Sequence, residues 1–161
     1  MTVTIHAESV VAQEHMALAR SLFELQNHRK SDPAWLDTCV AALAADCEVV
    51  SAGGITLRGP EGYKRFLRFF LGESFPDIRT ELTTVVASED QVVVEGIFRG
   101  TTTGRRTLPT GALKASGCRG EVRCCFVLQI RHGKITSVHS YYDLTTLLDQ
   151  FGLNAAAAKA T

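Results

Sequence analysis

The sequence predicts an α+β fold, a curved antiparallel sheet covered on one face by helices. Apolar residues recur with helical spacing through the first half, the period changes to two after Phe75-Pro76-Asp77, and one more helical stretch closes the chain. With 161 residues, 45% hydrophobic and 21% charged, the chain suits a single domain with a real core.

From Ser9 to about Asn27, Val11, His15, Leu18, Leu22 and Leu25 recur at intervals of four and three, which is one stripe of an amphipathic helix with His15 on its buried side. A second helix is expected to begin at Asp32-Pro33, with Asp as N-cap and Pro at the first helical position, and to run through Trp35, Leu36, Val40 and Leu43. CEVVSAG and ITLRG read as short strands joined by a glycine turn. Pro60 opens a third helix, with Tyr63, Phe66, Leu67, Phe70 and Leu71 on its apolar face and Lys64, Arg65 and Arg68 on the other.

Strands are then expected near Ile78 to Ser88, Gln91 to Thr101, Glu121 to His132 and Ile135 to Tyr142, with tight turns at Glu89-Asp90 and His132-Gly133. TTTGRRTLPTGALKASGCRG has neither period and reads as a long, locally basic loop, either a flap over a pocket mouth or a solvated connection. Leu144, Leu147, Leu148 and Phe151 give the last helix its buried side, Gly152 stops it, and residues 154–161 read as a frayed tail beyond an ordered core of about 8–153. Several strands carry apolar side chains on both faces, so the uncovered sheet face is expected to meet a second subunit in a homodimer.

Lys plus Arg and Asp plus Glu are equal at 17 each, and no basic strip is interleaved with aromatics, which argues against nucleic-acid binding. No run of about 18 apolar residues exists to span a membrane, and the N-terminus does not read as a secretory leader, so a cytoplasmic protein is the expectation. Five cysteines without a CxxC pair argue against a disulfide framework or structural zinc. Cys124 and Cys125 sit in an apolar run and read as small buried hydrophobes.

The order and spacing of LFELQN, RGPEGYKRFLRFF, FPDIR, VVASEDQVVVEGIFRGTTTG, LPTG and HGKITSVHSYYDLTTLLDQFGL resemble the SnoaL-like polyketide cyclases, within the cone-shaped superfamily related to nuclear transport factor two. The resemblance implies a dry hollow between sheet and helices, in which acid and base side chains act on an apolar small molecule without metal or organic cofactor. Cyclases of this family close a carbocyclic ring by aldol condensation, while relatives open epoxides, isomerise or dehydrate. Their catalytic aspartate matches Ser140 here, and the histidine of their GTHTG pattern matches Thr102. Acid-base work has therefore moved to other side chains, or the reaction differs from aldol closure.

Strand alternation puts Val138, Ser140 and Tyr142 on one face of the last strand and His139, Tyr141 and Asp143 on the other. The match to the cyclases turns Ser140 and Tyr142 toward the pocket; chemistry favours His139 held by Asp143, a pair able to take and give a proton near neutrality. Asp143 also reads as a helix N-cap. Tyr142, His139 and Asp143 are the catalytic candidates. Ser140 and His15 are supporting polar groups, and Tyr63, Phe66, Phe98, Cys124 and Phe126 are wall residues by parity. The function expected is a cyclase or isomerase of a polyketide-like or terpenoid-like molecule by general acid-base catalysis. The alternatives are a non-catalytic binding or assembly domain of the same fold and, third, an epoxide-opening hydrolase, which would need a carboxylate pair beside an arginine.

Overall fold

The computed structural model describes residues 3–102, 106–108, 111–113 and 116–153. A short strand that the periodicity does not announce, β1 (Thr4–Ala7), precedes helix α1 (Val10–Asn27). Ser9 caps α1: its backbone is extended and its hydroxyl accepts from the Ala12 amide at 3.1 Å. The buried line of α1 is Ala12, His15, Ala19 and Phe23, whereas Val11, expected on it, is 42% exposed. The two alanines have almost no side chain to hold the helix off the sheet, so the contact line runs through them rather than through the larger residues beside them.

Helix α2 (Trp35–Ala41) starts later than the Asp32-Pro33 signal suggests. The Asp32 carboxylate accepts from the Ala34 amide at 2.8 Å, closing a turn instead of capping a helix. Leu43, expected on that helix, opens β2 (Leu43–Ser51). Gly53 and Gly54, at φ 83° and 79°, turn the chain into β3 (Ile55–Arg58). Helix α3 (Gly59–Leu67) carries Pro60 in its first turn and runs directly into a π-helical stretch, Arg68–Ser74, closed by the Phe75 amide donating to the Phe70 carbonyl at 3.0 Å.

The long strands are β4 (Arg79–Ala87), β5 (Gln91–Thr101), β8 (Arg119–Arg131) and β9 (Lys134–Tyr142). The segment expected to be a loop contains a two-stranded ribbon, β6 (Arg106–Leu108) with β7 (Gly111–Leu113). Strands this short carry too few residues to show a period. Helix α4 (Leu144–Gln150) closes the fold. The expected frayed tail at 154–161 lies outside the described residues, as does much of the expected flap.

One sheet of seven strands runs in the order β1-β4-β5-β8-β9-β2-β3. The antiparallel run is β4-β5-β8-β9; β1 joins β4, and β2 joins β9, in parallel. Bulges between Leu82 and Thr84 and between Gln129 and Ile130 bend the sheet toward the helices. Glycines deepen the bend. A Cβ on Gly96 would lie 2.8 Å from the Glu81 carbonyl oxygen, and one on Gly100 would lie 2.7 Å from the Ile78 Cα.

Two apolar clusters fill the concave side. Branched aliphatics such as Val85, Val92, Val94, Ile130 and Ile135 pack with Ala12, Ala19 and Phe23 of α1. Trp35, Leu67, Leu71, Phe75, Phe98, Leu147 and Phe151 form the second, under α3, the π stretch and α4. Leu22, Tyr63 and Phe126 touch both and mark the seam. Arg29, 7% exposed, ties the rim together by donating to the carbonyls of Gln26, Leu71, Phe75 and Ile78. Burial lowers its pKa from the ordinary arginine value, and Asp77 opposes that. Among the described residues, no helix is long and apolar enough to cross a membrane.

Candidate functional site

Along the seam lie two small adjoining, partly open voids, of about 40 and 30 Å³, that share Gln26, Tyr63 and Phe126 as walls. Each has room for a few waters, a volume well below the ~300 Å³ at which pockets for drug-sized ligands begin. The hollow implied by the sequence is therefore largely occupied by aromatic side chains. Phe66 stacks between Tyr63 and Phe70 at 6.4 and 5.6 Å, and Phe98 meets Phe126 and Tyr142 edge-on at 5.7 and 5.9 Å. The first three of these rings ride on α3 and the π stretch; the others rise from the sheet.

Against the aromatic wall stands a chain of hydroxyls. Ser140 Oγ donates toward Ser51 Oγ at 3.3 Å and toward the Val50 carbonyl at 3.4 Å, and Ser51 Oγ lies 3.3 Å from the Tyr142 hydroxyl. The parallel pairing of β2 with β9 creates this chain, since Val49 sits opposite Val138 and Val50 opposite His139, which brings Ser51 level with Ser140. Either hydroxyl of the Ser51–Tyr142 pair can donate; where Ser51 accepts from Ser140 and donates to the Tyr142 oxygen, the phenolic O–H is free to donate into the void. On the other side of the void the Gln26 side chain interacts with both the Tyr63 hydroxyl and the Cys39 thiol. Burial pushes the Tyr63 hydroxyl far above the usual tyrosine range and Cys39 up to about 11. Both groups stay protonated at neutral pH. The described lining includes neither a carboxylate nor an imidazole, so its polar side chains act as neutral hydrogen-bonding groups.

The structure brings together Tyr142, Ser140, Tyr63, Phe66, Phe98 and Phe126. His139 and Asp143 lie apart from them, because β9 alternates and its inward positions are Val138, Ser140 and Tyr142. His139 is half-buried on the convex face of the sheet. Asp143 is exposed and caps α4: one carboxylate oxygen accepts from the amides of Thr145 and Thr146 at 2.8 and 3.1 Å, the other from the Thr146 hydroxyl at 3.1 Å. Those bonds, chiefly the Thr146 amide and hydroxyl, hold its pKa below the ordinary carboxylate value.

Cys124 is buried among the aromatic cluster without lining either void, and burial pushes its thiol up to about 12. His15 is buried too, yet it borders a separate surface groove beside the Glu89-Asp90 and His132-Gly133 turns, with Nδ1 unpartnered. It stands too near the N-terminal end of α1 to reach the seam, which α1 contributes to only from Leu22 onward. Thr102, at the family's histidine position, is 1% exposed and donates to the Phe151 carbonyl at 3.2 Å, so it ties α4 to the sheet. Sequence reasoning missed Gln26 and Ser51. Gln26 was detectable as a polar residue four after Leu22, on the apolar face of α1. Ser51 was detectable as the inward continuation of Cys47 and Val49.

Known proteins of similar fold bear on this geometry. A solved structure assigned to the SnoaL-like polyketide cyclases, from Jannaschia sp. CCS1, superposes with a TM-score of 0.78 at 16% identity, covering 91% of this chain and 96% of that one. One assigned as a polyketide cyclase from Xanthomonas campestris gives 0.69 at 23% identity over 88% and 98% of the two chains. An epoxide hydrolase of the LEH-like type from M. tuberculosis gives 0.62 at 18% identity over 87% and 90%. At these identities the likeness is one of fold. No curated protein sequence matches the chain significantly. The family model for SnoaL-like polyketide cyclases matches residues 22–151, a span that reaches from the seam end of α1 through the hydroxyl chain to the end of α4. The chain belongs to the SnoaL-like polyketide cyclase family.

Proposed function

We propose that the protein is a cofactor-independent cyclase or isomerase acting on an apolar polyketide-like or terpenoid-like molecule, with Tyr142 as the hydrogen-bond donor to a substrate oxygen. The observation that carries this reading is the Ser140–Ser51–Tyr142 chain facing an aromatic wall. A phenol backed by two serines can donate a hydrogen bond to a substrate carbonyl oxygen and polarise it. Folding a flexible chain between Phe66 and Phe98 adds proximity. Substrate enters by displacing the rings borne on α3, since the voids are smaller than the molecule proposed. Tyr142→Phe keeps the ring and removes the donor, and is expected to lower turnover of a cyclisable polyketone by about a hundredfold, the usual effect of losing an oxyanion donor. Activity within a few fold of wild type would remove Tyr142 from the mechanism.

The absence of a carboxylate or imidazole from the described lining favours a second reading, a non-catalytic binding domain. Retention of an apolar ketone in native mass spectrometry without turnover would select it. The same lining leaves an epoxide-opening mechanism without its acid pair. We also propose a homodimer through the convex sheet face. There His6, Val86, Val93, Val127, His139, Val50 and Thr56 form one register row across all seven strands. Light scattering giving the monomer mass at micromolar concentration would exclude it.

A further inference from the structure

At the end of the strands that carries Phe98 lies a groove that the cavity chemistry does not use. Arg79 on β4 stands directly opposite Arg99 on β5, and Arg119 on β8 faces Thr101, two residues farther along β5. Like charges opposed across a ladder are unfavourable, and here the available carboxylates do not relieve them evenly. Glu81 and Glu121 both pair with Arg99, each at 3.3 Å, while Arg79 and Arg119 make no ion pair among the described residues. These exposed pairs are weak by nature. The third nearby acid, Asp77, is engaged in accepting the Thr101 amide at 2.8 Å.

The three arginines line a groove of about 550 Å³. A second hollow of about 360 Å³ adjoins it through Asn27, Asp77 and Arg79 and brings in Lys30. The floor is fixed: the Asn27 side chain donates to the Thr80 carbonyl at 2.9 Å and accepts from its amide at 2.8 Å. Asp77 and Glu81 stand in the same lining, so the positive charge open to a ligand rests on Arg79 and Arg119, which make no ion pair with them, and on Lys30.

We propose that this groove binds a phosphate group, carried by a small molecule as a monoester or diphosphate. Guanidinium forks match phosphate oxygens two at a time. A dianion set between Arg79, Arg99 and Arg119 removes the repulsion that the register imposes, and the Thr101 hydroxyl at the groove wall supplies a further donor. The groove shares no lining residue with the seam voids, so this assignment stands apart from the cyclase reading. Arg99 is also six residues from Val93, roughly 20 Å along the strand, which keeps the groove clear of the proposed dimer row.

Calorimetric titration of the full chain at low salt with inorganic phosphate and with pyrophosphate tests the assignment, alongside Arg79→Gln, Arg119→Gln and, as a control on the far end of β8, Arg131→Gln. Saturable binding is expected, weakened about tenfold in each groove variant, as loss of a bidentate contact implies, and unchanged in the control. Circular dichroism confirms that the exposed-site variants remain folded. No saturation, or equal affinity in all variants, overturns the site. Glutarate binding as tightly as pyrophosphate overturns the phosphate assignment in favour of a carboxylate ligand.

Discussion

Under α1 the sheet presents Val85, Val92, Val94, Ile130 and Ile135, all 1% exposed or less, against alanines that let helix and strands approach closely. Under α3 and the π stretch the same sheet presents Phe98 and Tyr142 to the rings of Phe66, Phe70 and Tyr63. Branched aliphatics interlock to the density of a crystal. Flat rings on two opposed surfaces meet edge to face and leave gaps between them. The difference teaches where a binding site can arise in this chain: the aliphatic half leaves only the small void at its edge with the seam, and the other half is filled by opposed rings beside a chain of hydroxyls.

The largest test of that contrast is a pair of truncations. Val94→Ala in the aliphatic half, away from both voids, is expected to lower the unfolding free energy by about 2 kcal/mol, the transfer cost of two buried methyl groups plus the cavity they leave. Phe66→Ala, on a half-buried ring beside an existing void, should cost about 1 kcal/mol, because its site can collapse or admit water. Urea midpoints measure both; equal losses would erase the distinction.

A second, finer test reads breathing through thiols. Burial pushes Cys47 up to about 11 in the aliphatic half and Cys39 and Cys124 up to about 11 and 12 in the aromatic half, so all three resist alkylation in the closed state. Cys118 is exposed and should react first. If the aromatic half opens preferentially, mass spectrometry after iodoacetamide will find Cys39 and Cys124 labelled before Cys47. The reverse order would place the mobile half under α1.

The smallest effect concerns α4, which covers the aromatic half with Leu147 and Phe151. The Asp143 carboxylate has its folded-state pKa lowered from the ordinary 3.8. Its contribution to stability is therefore complete above that ordinary value and is lost as pH falls toward the depressed one. Asp143→Asn keeps a competent cap and should leave stability at neutral pH nearly unchanged while shallowing the acid limb. An acid titration followed by near-ultraviolet dichroism checks it; an unchanged limb would mean the cap does not gate the aromatic half.

Much of this architecture was legible in residues. The Asp143 cap, the start of α1 near Ser9, the glycine turn at 53–54 and the switch to a period of two each have a local cause, and β5 runs from Gln91 to Thr101, as alternation required. What local pattern does not carry is partnership. Strand β1 is four residues with no buried position, held by backbone pairing to β4, and the parallel join of β2 to β9 links residues about ninety apart. That join decides which hydroxyls meet. Alternation divided the last strand into two faces but gave no means of choosing between them. The chemical attraction of a His-Asp pair pointed to the convex face, and only the family match of Ser140 pointed inward.

Gly96 and Gly100 bear on how this pocket can change over evolutionary time. Their α-carbons let neighbouring backbone approach where even one methyl group would collide, so the floor tolerates little drift without flattening the basin. The roof is under no such restraint. Tyr63, Phe66 and Phe70 can be exchanged for smaller or larger groups while the sheet keeps its bend, so new guests would be accommodated first by substitutions along a single helix.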